Sequence, residues 1–351
     1  MKNLLLDPEK LRRNLHVIRA HAKGVPIIGT LSCDAYGMGL IPAAKLLWSE
    51  NVRIFAVDTA RDALRLRQEG FREADILLTH STVERAEIET LLDASAIATI
   101  GSQDAALALG GVAERRAAIA EAHIKIDTGA GQYGFLPSEV EKIASVYLNL
   151  QNIAISGVYT TLIPGAAGRT HDRQLESFQA VLDAFSRKGL ETGLVHAADA
   201  SALLRRPGLP CFGAVRADNA LTGRLPFRTA LQRVGCIATQ VTEIMWLPKG
   251  AMLGGAGKTT RPARIGVIPV GYGDGFGVEP PSYGFHARFR AARRGTRRFV
   301  YVGEQKIPVV GSIGVSHIVV DLTNSNASAG AAAYLDADPL FCGSLPKEYL
   351  P

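Results

Sequence analysis

Cysteine is scarce in this sequence of 351 residues: Cys33, Cys211, Cys236 and Cys342 are all it has. They lie far apart and never in the Cys-x-x-Cys spacing. The sequence therefore offers neither the framework of a disulfide-rich secreted domain nor a structural zinc site. Free, buried thiols are the expectation for all four.

Long apolar runs are also missing. No stretch approaches the roughly 20 uninterrupted apolar residues of a membrane-spanning helix. Near the start, Asp7, Glu9 and Lys10 interrupt the apolar residues before the core of a signal peptide could form. With 47% hydrophobic and 21% charged residues, the chain still has enough apolar material for one large core or two ordinary ones. We expect a soluble, cytoplasmic protein with no membrane contact.

Positive charge is concentrated in one short segment. The formal net charge is 39 − 33 = +6, and an arginine segment, Arg288–Arg298, carries six arginines: Arg288, Arg290, Arg293, Arg294, Arg297 and Arg298. Without it the protein would be nearly neutral. No recognisable nucleic-acid-binding fold surrounds the segment, so nucleic acid is not expected as a partner. The segment is interpreted as a solvated loop or hairpin, with an acidic partner as the alternative.

Short runs typical of β-strands alternate with amphipathic helical stretches through the first two thirds of the chain. This alternation predicts a parallel sheet covered by helices, and eight such units in about 220 residues favour a closed (β/α)8 TIM barrel over an open sheet. The predicted strands are Pro26–Leu31, Ile54–Asp58, Asp75–Thr79, Ala96–Ile100, Ala122–Asp127, Ile153–Thr160, Gly193–His196 and Gly213–Arg216. After Leu225 the pattern changes to Val, Ile and Thr runs broken by Gly and Pro. We therefore predict a barrel over residues 1–225 and a mostly β domain over residues 226–351.

In a barrel of this kind, chemistry takes place at the carboxyl ends of the strands. Several segments at these predicted ends, and others further along, resemble the alanine racemase family, in which a barrel that binds pyridoxal phosphate is followed by a β domain. The segments occur in the family's order: DAYGMG, HIKIDTGAGQYGF, SGVYTT, HAADASALLRRPG, AVRADNALTG, VGYGDGF and VVGSIGVSHIVVDLT. The resemblance implies this two-domain fold and a homodimer whose sites are completed by the partner subunit.

The sequence departs from this family at the positions that carry its chemistry. A racemase of the family holds pyridoxal phosphate as a Schiff base on a lysine four residues before the tyrosine of the AYG motif, and that position here is Ser32. A hydroxyl cannot form an imine with an aldehyde. The tyrosine that acts as the second base, contributed by the partner subunit's β domain, aligns with Gly255. The covalent anchor and both racemisation bases are thus expected to be absent.

Positions around the cofactor depart from the family as well. Thr161 stands where a histidine packs against the pyridine ring, and Gln132 stands where an arginine ends the D-T-G-M-G-R motif. The family's phosphate-binding R-P-G-I reads Arg216-Ala217-Asp218-Asn219. Asp218 would therefore place a carboxylate beside a phosphate dianion, and like charges in a poorly solvated site cost several kcal/mol. These departures predict that pyridoxal phosphate is not bound and that the protein has no cofactor.

The residues that remain at the strand ends predict a polar pocket for a small amino-acid-like ligand. The predicted catalytic residues are Asp218, as general base or partner of a substrate ammonium group, His196, and Ser32 as a weaker candidate nucleophile. The predicted substrate-binding residues are Arg216, Tyr36, Tyr272, Asp199, Thr161 and Asn219. Structural alternatives stay open, since Arg216 can pair with a nearby aspartate and His196 can be a hydrogen-bonded core residue. Asp34, Asp199, Asp218 and His196 have the chemistry of metal ligands, but their spacing does not demand a metal, and none is predicted.

Three functions remain in competition. The first is a repurposed barrel that performs cofactor-independent chemistry on a small amino-acid-like metabolite in a biosynthetic pathway. The second is a non-catalytic relative that binds a ligand or a partner protein. The third is a pyridoxal-phosphate racemase that uses another lysine. Lys125 is the lysine at a predicted strand end, although the resemblance implies a lysine there that lies beside the cofactor without anchoring it, and Lys258 could reach only from the second domain. We expect the first.

Overall fold

The chain, of which this computed structural model describes residues 2–166, 168–278 and 298–351, contains a barrel of parallel strands and a second, largely antiparallel sheet. Strand β1 (Asn3–Leu6) precedes the barrel, whose strands are β2 (Ile27–Thr30), β3 (Ile54–Val57), β4 (Asp75–Ser81), β5 (Ile97–Ile100), β6 (Ala120–Ile126), β7 (Ile153–Thr160), β8 (Leu194–Asp199) and β9 (Ala214–Ala217). The later strands are β10 (Gly235–Gln240), β11 (Glu243–Leu247), β12 (Ala263–Ile268), β13 (Phe299–Val302), β14 (Gln305–Val310), β15 (Ile318–Asp321), β16 (Ala332–Asp336) and β17 (Lys347–Tyr349).

Helical segments connect the barrel strands. They are α1 (Pro8–His21), α2 (Ser32–Tyr36), α3 (Leu40–Ser49), α4 (Ala60–Gln68), α5 (Arg85–Asp93), α6 (Gln103–Arg115), α7 (Val140–Asn149), α8 (Arg169–Arg187) and α9 (Ala200–Arg205). Local sequence explains several of their starts. Asp7 accepts a hydrogen bond from the backbone N–H of Lys10 and is followed by Pro8 at the first helical position of α1. Thr59 caps α4 in the same way.

The barrel closes in chain order, with β9 hydrogen-bonded to β2. All eight predicted runs overlap one of these strands, so the prediction of a (β/α)8 barrel followed by a mostly β domain is confirmed. The run at Ile153–Thr160 is reproduced residue for residue. The sequence reveals these strands because parallel strands that are buried on both faces appear as short continuous apolar runs.

Strand β1 lies outside the barrel and joins the second sheet. Within the described residues this sheet has nine strands in the order β11-β12-β15-β14-β13-β16-β10-β1-β17. Strand β1 pairs antiparallel with β10 and parallel with β17, and its Leu4 and Leu6 are fully buried. The domain boundary at residue 225 stays a prediction. Strand β1 lies in the sequence range predicted for the barrel but pairs with strands of the second sheet.

The interior of the barrel is apolar at one level and polar at the next. Ile28, Ala56 and Ala214 form a small buried cluster separate from the main core. Alternate residues of a strand face the same side, and two residues further along β2 and β9 stand Thr30 and Arg216, both buried. The polar level lies towards the carboxyl ends of the strands, at the opening that is called the barrel mouth below.

Two other expectations concern cysteine and membranes. All four cysteines are free, as expected, but only Cys211 and Cys342 are buried, whereas Cys236 is partly buried and Cys33 is exposed. No helix among the described residues combines the length and the apolar character needed to cross a bilayer.

The arginine segment is described only at its last residue. Residues 288–297 lie outside the described part of the chain, so its acidic partner stays a prediction. The Arg298 guanidinium donates to the Gly277 carbonyl at 2.7 Å and lies over the Phe276 ring.

Candidate active site

A layer of polar side chains fills the barrel below its mouth. It comes from consecutive strands β5 to β9, and each member is buried: Thr99, His123, Lys125, Tyr159, His196 and Arg216. Buried polar groups are stable only when they are hydrogen-bonded. The contacts within this layer therefore decide what each group can do.

Arg216 is held by three acceptors, none of them a carboxylate. Its guanidinium donates to Nδ1 of His196 at 2.7 Å, to the Thr160 carbonyl at 3.1 Å and to the Ala197 carbonyl at 3.0 Å. Among the described residues it forms no ion pair with Asp218 or Asp199, so the alternative of a structural Arg–Asp pair is wrong. The positive charge is fixed in place without being neutralised.

His196 orients this arginine and is itself fixed. Its ring is stacked on Tyr159, with centroids 4.7 Å apart and planes 8° from parallel, and its Nε2 lies 3.3 Å from Nδ1 of His123. Burial, and then the charge of Arg216, lower the pKa of His196 well below its usual value. Both ring nitrogens are engaged, which is the geometry of the hydrogen-bonded core histidine that the sequence left open.

His123 extends this network across the barrel. Burial lowers its pKa to about 4, so it too is neutral at ordinary pH. Gly157 on β7 makes room for it, because a Cβ there would lie 2.4 Å from Nε2 of His123. The glycine of the SGVYTT segment is thus explained by the close approach of an imidazole.

Lys125 is the amine inside the barrel. Its side chain is 6% exposed, and its Nζ lies 5.6 Å from the ring centroid of Tyr159 and 5.4 Å from that of Tyr133. Burial, followed by repulsion from Arg216, lowers the pKa of Lys125 to about 8 against the opposing effect of Asp127. Desolvation beside a second cation is a known way to make a lysine nucleophilic at neutral pH.

Asp127 shapes the loop beside this lysine. Its two carboxylate oxygens accept backbone N–H groups from four residues in a row, Gly129, Ala130, Gly131 and Gln132, at 2.8–3.2 Å. The following residue, Tyr133, is the one whose ring faces Lys125. Asp127 is therefore a structural residue that fixes the loop.

On the other side of the mouth, β2 ends in a turn of unusual handedness. Cys33, Asp34, Ala35 and Tyr36 all have φ between 50° and 58°, the left-handed region that costs about 1–2 kcal/mol for each residue with a side chain. At its start, Ser32 donates to Oδ1 of Asp58 at 2.6 Å, and the Cys33 N–H donates to Oδ2 at 2.9 Å. Ser32 therefore has an anionic acceptor for its proton, which the sequence did not reveal.

Two hydroxyl groups on this side face the mouth. Thr30 is buried, and its Oγ1 has no hydrogen-bond partner within the described part of the chain. Burial, and then the charge of Asp218, raise the pKa of Tyr36, and its contact with Ser32 opposes the shift. Tyr36 thus brings the predicted residues Ser32 and Asp218 to the same place.

Asp218 lies at the end of β9, where its carboxylate accepts from the Ala220 N–H at 3.1 Å and from the Ser201 hydroxyl at 3.3 Å. Burial, and then repulsion from Asp199, raise its pKa to about 7. Asp199 caps α9 by accepting from the Ala202 N–H at 2.7 Å. Asp218 therefore holds its proton more readily than an exposed aspartate does.

The remaining predicted residues lie at different distances from this centre. Thr161 follows β7, and its carbonyl accepts from Gln174 at 3.1 Å. Asn219 begins the short 3-10 helix that follows Asp218. Tyr272 follows strand β12 of the second sheet and is 53% exposed. Among the described residues no three His, Cys, Asp or Glu side chains are grouped as metal ligands.

The sequence did not reveal several residues of this site, among them Thr30, Asp58, His123 and Tyr159. A signal existed for His123 and Tyr159, since both stand at alternate positions with other polar residues in segments that were recognised, HIKIDTG and SGVYTT. Thr30 and Asp58 gave no signal, because their importance depends on which strands are neighbours across the barrel.

Comparison with known proteins covers nearly the whole chain. The sequence models of the families "Alanine racemase, N-terminal domain" and "Alanine racemase, C-terminal domain" match residues 6–226 and 234–338. The alanine racemase of Methylacidiphilum infernorum is 30% identical over 327 residues, 91% of this chain and 79% of that protein.

Solved structures agree in fold. The alanine racemase from D-cycloserine-producing Streptomyces lavendulae superposes with a TM-score of 0.85 at 20% identity, covering 100% of this chain and 97% of that one. The alanine racemase from Bartonella henselae, described with covalently bound pyridoxal phosphate, gives a TM-score of 0.80 at 21% identity and covers 99% of each chain.

These comparisons contradict two expectations. The predictions that the chain has lost pyridoxal-phosphate chemistry and that it has no cofactor are wrong, since its relatives are named alanine racemases over most of its length. The first prediction rested on departures from the family at Ser32, Gly255 and the positions around the cofactor, and it ranked Lys125, which is buried in the same barrel, below them. The second treated Asp218 as fully charged, whereas burial raises its pKa to about 7.

Fold, family match and relatives lead to one assignment. Both halves of the chain match in the order that the family has, and the barrel mouth lies within the matched region. The chain belongs to the alanine racemase family.

Proposed function

We propose that this protein is a pyridoxal-phosphate-dependent racemase of a small amino acid, in which Lys125 supplies the amine that holds the cofactor. The observation that carries the proposal is the buried Lys125, whose pKa is lowered to about 8. In this chain Ser32 and Gly255 fill the positions that correspond to the lysine and tyrosine of the family. The proposal therefore moves the covalent attachment from β2 to β6.

The position of Lys125 supports this assignment. In the closed order β2 to β9, strands β2 and β6 are four strands apart and thus face each other across the barrel. Lys125 and Arg216 both lie over the Tyr159 ring, at 5.6 Å and 5.7 Å from its centroid. A ligand that contacts Arg216 at the mouth is within the neighbourhood of the Lys125 amine.

The chemistry of the other side chains fits pyridoxal phosphate. Arg216 offers a fixed guanidinium that no carboxylate of the described residues neutralises, for the ring nitrogen, and the hydroxyl of Thr30, which has no partner among those residues, offers a donor. Ser201, Tyr36 and the neutral acid form of Asp218 can donate hydrogen bonds to a phosphate. The fit holds only while Asp218 is protonated, because its carboxylate form would repel the dianion.

Racemisation removes a proton from the α-carbon and returns one to the other face. Bound pyridoxal phosphate serves as an electron sink that stabilises the carbanion left when this proton departs. Lys125 Nζ, about half neutral near pH 8, can accept and return a proton on its side of the mouth. On the opposite side, the Ser32 hydroxyl, hydrogen-bonded to Asp58 at 2.6 Å, would relay the other proton. It takes a proton from the α-carbon while passing its own to Asp58, and in the reverse direction it gives its proton to the α-carbon while recovering one from Asp58.

The test is to locate the attached cofactor. The protein is incubated with pyridoxal phosphate, reduced with borohydride and digested, and the labelled peptide is identified by mass spectrometry. We expect one label, on Lys125, and its loss in Lys125→Met together with the loss of alanine racemisation. Lys45→Met, which removes an exposed lysine paired with Glu69, is the matched control. Label spread over surface lysines, or activity retained by Lys125→Met, contradicts the proposal.

We also propose that the protein is a cytoplasmic homodimer. Large side chains exposed on the described part of the second sheet support the dimer: Trp246, Tyr301 and Tyr334 are 63%, 49% and 40% exposed. Four free cysteines suit a reducing compartment. Sedimentation as a monomer at micromolar concentration would contradict the dimer.

A further inference from the structure

The left-handed turn Cys33–Tyr36, which makes up most of the segment labelled α2, follows Ser32 after strand β2 and leads to helix α3. Its four residues have φ of 50°, 58°, 54° and 53°. Residues with a Cβ persist in this region only when surrounding contacts hold them there. The contacts that hold this turn therefore decide where Ser32 and Tyr36 stand.

On the barrel side, Asp58 holds the first part of the turn. Oδ1 of Asp58 accepts from the Ser32 hydroxyl at 2.6 Å, and its Oδ2 accepts from the Cys33 N–H at 2.9 Å. Both contacts lie at one end, before the turn reaches Tyr36. Further along, the Ala35 N–H donates to the Leu31 carbonyl at 2.9 Å, and Tyr36 contacts Ser32.

The second anchor comes from β17, the last strand of the chain. Lys347 Nζ forms an ion pair with Asp34, and the other oxygen of Asp34 accepts from the Leu40 N–H at 2.8 Å. Two residues further on, Tyr349 donates its hydroxyl proton to the Met38 carbonyl at 2.9 Å. Residues two apart on a strand share a face, so one face of β17 contacts both the turn and Met38, which follows it.

Close packing leaves the turn little room on this side. A Cβ at Gly37, where φ is 79°, would lie 2.0 Å from the Pro339 carbonyl oxygen. Strand β17 is itself fixed by its parallel pairing with β1 and by the hydrogen bond from the Leu4 N–H to the Pro346 carbonyl at 2.8 Å. The contact between the second sheet and the turn is thus rigid on both sides.

We propose that Lys347 and Tyr349 are positioning residues: by holding the left-handed turn from the second sheet, they set the places of Ser32 and Tyr36 and thereby the affinity of the barrel mouth for its ligand. The identity of that ligand, pyridoxal phosphate, rests on the proposed function. The proposal that β17 holds the turn does not depend on the ligand, since the reactivity of Cys33 reports on the turn without it.

The first measurement uses the exposed thiol of Cys33, which lies within the turn. Its rate of alkylation is measured at one pH in the full-length protein, with Cys33→Ser used to identify the signal. We expect Lys347→Met and Tyr349→Phe each to speed alkylation about threefold and the double variant about tenfold, as for loss of one ion pair and one hydrogen bond. Lys347→Arg and the control Lys45→Met are expected to keep the original rate.

The second measurement is the dissociation constant for pyridoxal phosphate, followed by absorbance, in the same variants. We expect it to rise in the same order as the alkylation rate, with melting temperature and circular dichroism showing that each variant is folded. Unchanged Cys33 reactivity in the double variant overturns the proposal, and so does faster alkylation with unchanged affinity. If the unmodified protein binds no pyridoxal phosphate, the proposed function fails, and the thiol rates still decide whether β17 holds the turn.

Discussion

The Arg216 guanidinium donates a hydrogen bond to Nδ1 of His196 at 2.7 Å. The accepting nitrogen must be unprotonated, so His196 is neutral and carries its proton on Nε2, which faces Nδ1 of His123 at 3.3 Å. A buried cation is thus oriented by an imidazole, and its charge stays available to a ligand.

Removing that imidazole should destabilise the protein. In His196→Phe the Arg216 guanidinium loses one of three acceptors while remaining buried, and a lost hydrogen bond to a charged group costs about 1.5–3 kcal/mol. Urea denaturation measures the change in the free energy of unfolding. His16→Phe is the control, since the His16 side chain is 61% exposed, and we expect it to change the free energy little. Equal effects of the two substitutions would show that the network does not hold Arg216.

Acid should destabilise the protein through its buried histidines. The pKa of His123 is lowered to about 4, and that of His196 lies well below its usual value, so below about pH 6.5 the unfolded chain binds protons that the folded one does not. This contribution to stability is complete above pH 6.5 and is lost as pH falls towards 4. We expect His123→Asn to reduce the slope of unfolding free energy against pH by at most about 1.4 kcal/mol per pH unit. An unaltered slope would mean that His123 titrates normally.

Asp218→Asn should act in the opposite pH range. Because the pKa of Asp218 is raised to about 7 from 3.8, its contribution to stability is full below about pH 4 and is lost as pH rises through 7. We expect the variant to gain about 1–3 kcal/mol of unfolding free energy at pH 8 and nothing at pH 4. Above pH 7 affinity for pyridoxal phosphate should be higher in the variant than in the original protein, and at lower pH the two affinities should be closer, while Lys125 adds the same pH dependence to both. Chemical denaturation and absorbance titration at both pH values measure these effects.

Labelling of Lys125 should follow its lowered pKa. Since the neutral amine is the nucleophile, we expect the rate of borohydride-trapped labelling by pyridoxal phosphate to rise through about pH 8. Gln132→Glu would place a carboxylate in the loop beside Asp127, and we expect it to move the midpoint upwards. A midpoint near the usual lysine value in the original protein would argue that Lys125 is solvated.

Gly157→Ala tests the close approach of His123. The new Cβ would lie 2.4 Å from Nε2 of that histidine, and overpacking of this kind costs about 1–3 kcal/mol. Gly111→Ala in α6, where the nearest atom is 3.7 Å away, is the control and should be neutral or stabilising by about 0.5–1 kcal/mol. Melting temperatures give the comparison, and His123→Ala in the Gly157→Ala background should recover stability.

The sequence by itself determined the fold. Eight apolar runs separated by amphipathic stretches specify parallel strands and covering helices, since strand burial and helix periodicity are local properties of the chain. It also determined that Arg216 and His196 lie on barrel strands, because each belongs to such a run. Segments in the family's order indicated the relationship to the alanine racemase family from the sequence alone.

Tertiary structure decided what those residues do. Whether Arg216 pairs with Asp218 or with His196 depends on the side chains that neighbouring strands bring to one level of the barrel, which no local pattern encodes. The pKa values of Asp218 and Lys125 depend on burial and on charges from distant parts of the sequence. Lys347 reaches Asp34 across 313 positions of sequence because β1 and β17 pair in the second sheet and thereby bring the end of the chain to the barrel mouth.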